Sequence, residues 1–62
     1  MLYGAQWTVQ YRCSYREYWY DDREFENPIL AMQYADSLAQ STGRKTRIVD
    51  QQGNAIYYSM VW

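Results

Sequence analysis

The stretch from Pro28 to Thr42, bracketed by Asn27 and Gly43, constrains the fold of this chain more than any other part of its sequence. Asparagine can accept a bond from an orphan backbone N–H at a helix start, and proline, which lacks that donor, suits the first turn. Glycine supplies the left-handed residue that commonly ends a helix. Between these signals Leu30, Ala31, Tyr34, Ala35 and Leu38 recur at the spacing of one apolar stripe, with Gln33, Asp36 and Gln40 outside it. The sequence therefore predicts one helix over 28–42 that buries a single face, and small Ala31 and Ala35 would let it approach its partner closely.

That partner is predicted to be a β-sheet. From Gln6 to Tyr15 the chain alternates, with Trp7, Val9, Tyr11, Cys13 and Tyr15 on one side and Thr8, Gln10, Arg12 and Ser14 on the other, the period of a half-buried strand. Tyr18 to Phe25 reads as a second strand, joined to the first by a turn near Ser14 to Glu17 that has no glycine or Asn-Gly pair to define its geometry. After the helix, Arg44 to Asp50 reads as a third strand. It leads into the loop Asp50-Gln51-Gln52-Gly53-Asn54, where Gly53 can take positive φ. A fourth strand follows, in which Ile56, Tyr58, Met60 and Trp62 alternate with Ala55, Tyr57, Ser59 and Val61. Both of its faces are partly apolar, which predicts burial on both sides, with a second copy of the chain as the simplest cover. The expected fold class is α+β: a ββαββ domain with a four-stranded, mainly antiparallel sheet and one helix packed on one face.

With 62 residues the chain accommodates one domain, residues 1–62, and not two. A domain of this size buries only about 60% of the surface its unfolded chain exposes. The usual staples of small domains are missing, because one cysteine forms no internal disulfide and a chain with no histidine and one thiol builds no standard zinc site. Dense packing or self-association remains. Aromatic residues make up 19% of the chain, more than so small a core can enclose. Because tyrosine and tryptophan are enriched at interfaces, Trp7, Tyr11, Tyr57 and Trp62 are the expected interaction surface, with a homodimer as the first partner to consider.

The net charge of −1 excludes the electrostatic footprint of a dedicated duplex-binding protein. Charge is nevertheless segregated: Glu17, Asp21, Asp22, Glu24 and Glu26 precede the helix, while Arg44, Lys45 and Arg47 follow it. No run approaches the ~20 apolar residues of a membrane span, and Met1 to Gly4 lacks signal-peptide character, so a cytoplasmic setting and no membrane partner are expected.

Catalytic chemistry finds little support. Without histidine the commonest general base is absent, and Cys13 falls on the apolar face of the first strand, where a buried thiol behaves as a small hydrophobe. Asp21, Asp22, Glu24 and Glu26 offer oxygens for a hard cation, but strand alternation sends Asp22, Glu24 and Glu26 to one side and Asp21 to the other. They read first as a solvated edge that discourages aggregation, and second as an acidic docking patch of Asp21, Asp22 and Glu24 for a basic surface. Neither a phosphate loop nor a dinucleotide fingerprint occurs among the three glycines. No enzyme activity, metal or cofactor is expected. Arg44, Lys45 and Arg47 form the basic cluster, Lys45 and Arg47 on one side of a strand and Arg44 on the other, a possible nucleic-acid contact when combined with aromatic stacking.

The segment Trp7-Thr8-Val9-Gln10-Tyr11-Arg12, the Ala31, Ala35 and Leu38 helix face, and Thr42-Gly43-Arg44 through Arg47-Ile48-Val49-Asp50 to Gly53-Asn54 together resemble small bacterial and phage-encoded ββαββ proteins. The resemblance implies action by binding a partner and, for phage members, by blocking a host system. Three readings follow: a protein-interaction module, homodimeric and plausible as a phage or bacterial inhibitor or adaptor; a weak nucleic-acid-binding domain; and a sponge for a nucleotide-like ligand at a subunit interface.

Overall fold

The computed structural model describes residues 6–12 and 17–59. Five elements follow one another: β1 (Trp7–Arg12), β2 (Trp19–Phe25), α1 (Pro28–Thr42), β3 (Lys45–Val49) and β4 (Ala55–Tyr58). The strands form one antiparallel sheet in the order β2-β1-β3-β4. Two hairpins thus lie side by side with their first strands in the centre. The α+β, ββαββ architecture is the one expected.

Helix α1 begins and ends where its caps dictate. Asn27 is extended (φ −115°, ψ 120°) and its side-chain oxygen accepts from the Ile29 N–H at 2.8 Å. Gly43 has φ 70° and donates its N–H to the Ala39 carbonyl at 2.8 Å. The face turned to the sheet is narrower than the apolar stripe suggests. Ala31, Ala35 and Ala39 are fully buried, whereas Leu30 is 50% exposed. Residues four apart stand above one another on a helix, so three alanines make a flat ridge that meets the sheet closely. Leu30 lies beside that ridge rather than on it, and Ala39 takes the place the stripe assigned to it.

Val9 of β1 and Ile48 of β3 meet Ala31 and Ala35 in the core, flanked by Trp7, Phe25, Tyr34, Leu38 and Tyr57. The helix is also fastened by a phenol–carboxylate pair at each edge of the sheet. Tyr34 of α1 donates to Asp22 of β2. At the opposite edge Tyr57 of β4 donates to Asp36 of α1, at 2.9 and 3.2 Å to its two oxygens. In both pairs the hydrogen bond favours the neutral phenol and raises the tyrosine pKa, reinforced by burial and by the carboxylate charge.

The β3–β4 connection is organised by Asp50. Its Oδ1 accepts from the N–H groups of Gln52 and Asn54, each at 2.9 Å, and Gly53 takes φ 85°. The Asn54 and Gln52 N–H bonds hold the Asp50 carboxyl below its usual range.

Strand β1 is described as far as Arg12, and its expected continuation through Cys13, Ser14 and Tyr15 lies outside the described residues, as do Arg16, Met60, Val61 and Trp62. On edge strand β4 of the single chain Ile56 is 50% and Tyr58 47% exposed, the side chains that the expected second copy would cover. Finally, β2 carries a bulge. Asp21 pairs with Gln10 and Arg23 with Val9, leaving Asp22 as the extra residue. Asp22 therefore reaches the helix while Asp21 and Glu24 share the opposite face, so the acidic residues divide differently from simple alternation. No helix among the described residues is long and apolar enough to cross a membrane.

Candidate binding surface

Strand pairing maps the sheet face that the helix leaves open. Trp19, Arg12 and Lys45 form one lateral row; Asp21, Gln10, Arg47 and Tyr58 form the next; Glu24, Thr8 and Val49 lie beyond. The basic side chains thus gather at one end of the face and Glu24 stands at the other.

The rings do not stand upright over their own strands. Trp19 and Tyr58 belong to the two edge strands, three strand spacings or about 14 Å apart. Their ring centroids nevertheless approach to 6.5 Å, inclined at 57°. Both side chains therefore lean inward over the central strands, which carry Arg12 and Arg47. The Arg47 guanidinium lies 4.2 Å from the centroid of the Trp19 ring and that of Arg12 lies 5.8 Å away, within the range of cation–π attraction. The four side chains line an open cleft of about 480 Å³.

Arg47 is held in place by a polar relay across the same row. Its Nε donates to Gln10 Oε1 at 2.8 Å, and Gln10 Nε2 donates to Asp21 Oδ1 at 2.7 Å. Asp21 orients the amide, and the amide orients the guanidinium. Its Nε is committed to Gln10, and the planar guanidinium, which carries two further Nη groups, lines the cleft.

Neither a family model, nor a curated protein, nor a solved structure matches the chain. Function is then to be read from the placement of side chains.

The aromatics singled out from the sequence lie on the covered side. Trp7 and Tyr57 pack against the core, and Tyr11 lies beside Leu38 of the helix. Trp62 lies outside the described residues. Alternation groups Trp7, Val9 and Tyr11 on one face, and the helix occupies that face. Of the basic trio, Arg47 reaches the open cleft and Lys45 pairs with Arg12 next to it. Arg44 turns to the helix side, 5.5 Å over the Tyr11 ring, in a smaller cavity of about 230 Å³ with Asp22, Leu38 and Thr42. Of the acidic trio, Asp22 is engaged with Tyr34 and Asp21 with Gln10. Among the described residues no group of three or more acidic or thiol side chains converges as metal ligands would.

Sequence reasoning missed Gln10, Arg12, Trp19 and Tyr58. A signal existed for two of them: Gln10 and Arg12 occupy the polar side of the β1 alternation, the side opposite a buried face.

Proposed function

We propose that this chain is a small non-enzymatic binding module whose partner docks on the open face of the sheet, at the cleft of Arg12, Trp19, Arg47 and Tyr58. The observation that carries this reading is the Arg47 side chain, stacked on Trp19 at 4.2 Å and fixed through Gln10. A long cationic side chain held on a surface loses rotamer freedom, at a cost of up to about 2 kcal/mol. Holding it in advance lowers the cost of ordering it upon binding. Aromatic rings and arginine are also the residues that concentrate binding energy. A cytoplasmic setting belongs to the same reading.

The test is recovery of partners from a cell lysate on the immobilised chain, compared with Tyr58→Ala and Arg47→Gln variants whose circular dichroism is unchanged. Recovery that these substitutions abolish supports the open face. Recovery that ignores both, but falls with Met32→Gln on the exposed helix surface, refutes it.

A second reading, self-association, has its own observation. Edge strand β2 carries exposed Asp21, Asp22, Arg23 and Glu24, whereas edge strand β4, Ala55–Tyr58, carries no charge and exposes Ile56. Charged residues are a common guard against edge-to-edge pairing. The β4 edge, which among the described residues bears no charged guard, is where a second copy would extend the sheet. Light scattering should then show a dimer that Ile56→Lys disperses; a monomer at high micromolar concentration excludes it.

A further inference from the structure

The cleft combines two chemistries in one place. Arg12 and Arg47 present cationic donors, and Tyr58, 47% exposed, presents a ring next to Trp19. An acidic peptide is answered by the cations, and an apolar peptide by the ring. A nucleotide unit needs both, since a base stacks on an aromatic face while its phosphate accepts from arginine. The cleft, at about 480 Å³, lies within the roughly 300–1,000 Å³ range of ligand sites.

We propose, resting on the open-face reading above, that the cleft takes one nucleotide of a single-stranded nucleic acid. The base stacks on Tyr58 against Trp19, and the adjoining phosphate lies on the Nη groups of Arg47 with Arg12 beside it. Two arguments select the single strand, and a third feature sets its direction. Among the described residues the cations of this face, Arg12, Lys45 and Arg47, occupy adjacent positions on neighbouring strands rather than a long track, a short footprint for successive duplex phosphates. A base in a duplex is already stacked on its neighbours and cannot offer its face to Tyr58. The row is also polarised: Asp21 lies at its β2 end and Tyr58 at its β4 end, flanking Gln10 and Arg47. A phosphate is repelled from the Asp21 side, which sets the direction in which the strand crosses the sheet. Gln10 acts as a positioning residue for Arg47 and does not itself touch the strand.

The experiment is fluorescence anisotropy of labelled twelve-nucleotide oligo-dT and oligo-U with the full chain, at 50 and 200 mM salt. Two to three phosphate contacts on a single strand give a salt slope of about −1.4 to −2.1, so affinity should fall about 7- to 18-fold between those concentrations. Tyr58→Ala should weaken binding about 5- to 150-fold, the range for one lost base stack, while Tyr58→Phe, which keeps the ring, should stay within about 3-fold. Arg47→Gln should make the slope shallower by about 0.7, one phosphate contact. Tyr58 lies exposed on an edge strand, and circular dichroism of each variant verifies the fold.

Absence of binding to both oligonucleotides at 50 mM salt and millimolar protein overturns the proposal. So does polyglutamate binding as tightly as an oligonucleotide of equal charge, which would make the partner an acidic protein segment. Competition by uridine monophosphate at the same molar concentration as oligo-U would substitute a free nucleotide and overturn it as well. Binding that survives both Tyr58→Ala and Arg47→Gln places the strand elsewhere. The two levels separate cleanly: if oligonucleotides fail but lysate recovery still depends on Tyr58 and Arg47, the nucleic-acid proposal falls and the open-face module stands. If recovery ignores both residues, the module reading falls too.

Discussion

Replacing Ala35 by leucine tests the packing that holds the helix on the sheet. Ala35 is fully buried between Ala31 and Ala39 on the helix and meets Val9 and Ile48 on the two central strands. An isopropyl group added to the alanine Cβ has no space at a surface defined by three stacked alanines. Overpacking of this kind typically costs about 1–3 kcal/mol. A domain of 62 residues has a total stability of about 3–9 kcal/mol at 0.05–0.15 kcal/mol per residue, so the loss is a substantial fraction of the whole. The unfolding entropy at ~2.1 cal/mol/K per residue is roughly 130 cal/mol/K, which converts that loss into a fall in Tm of about 8–23 °C. The assay is thermal unfolding followed by far-ultraviolet circular dichroism. Gln33→Leu, on the exposed side of the same helix, is the control for the side-chain type and should shift stability by no more than about 0.5 kcal/mol. If Ala35→Leu melts with the wild type or above it, the helix does not lie as close to the sheet as the buried alanines require, and the account of the core is wrong.

Leu30→Ala should cost about 1 kcal/mol or less, because half of that side chain is already in water, whereas Ile48→Ala should cost about 2–5 kcal/mol; equal losses in urea titrations would contradict the placement of Leu30 beside the ridge. Asn27→Ala should remove about 1 kcal/mol by leaving the Ile29 N–H without its cap, and Asn27→Asp, which keeps the acceptor, should restore it. Tyr34 and Tyr57 titrate above their unfolded value of 10.0 in the folded chain. Their contribution is complete below that value and is lost as pH rises through the higher folded values; a Tyr34→Phe, Tyr57→Phe double variant should therefore show less alkaline loss of stability than the wild type. Asp50 behaves in the opposite sense: its folded pKa lies below 3.8, so its contribution is present above that value and is lost as pH falls through the folded one. Asp50→Ala should flatten that part of the acid limb, and an unchanged acid limb would show that the turn does not depend on the carboxylate.

The helix was legible in the sequence because its signals are local: Asn27, Pro28 and Gly43 act within one turn of the residues they cap. The period-2 pattern of β1 was legible for a similar reason, and it grouped Trp7, Val9 and Tyr11 correctly on one face. What alternation cannot state is which face the helix covers, since an aromatic row suits a core and an interface equally well. The bulge at Asp22 lay deeper still, being a property of the pairing between β1 and β2. The cleft depends on a yet more distant fact, the strand order. Two consecutive hairpins joined by a helix can be set side by side with either strand of each pair in the middle. Had β2 and β4 been central, Trp19 and Tyr58 would have stood on neighbouring strands, with Arg12 and Arg47 out at the edges. The observed order reverses this, placing the arginines at the centre and the rings at the rims. The rings can meet only by folding inward over the charges, and that inward lean turns four scattered residues into one binding surface.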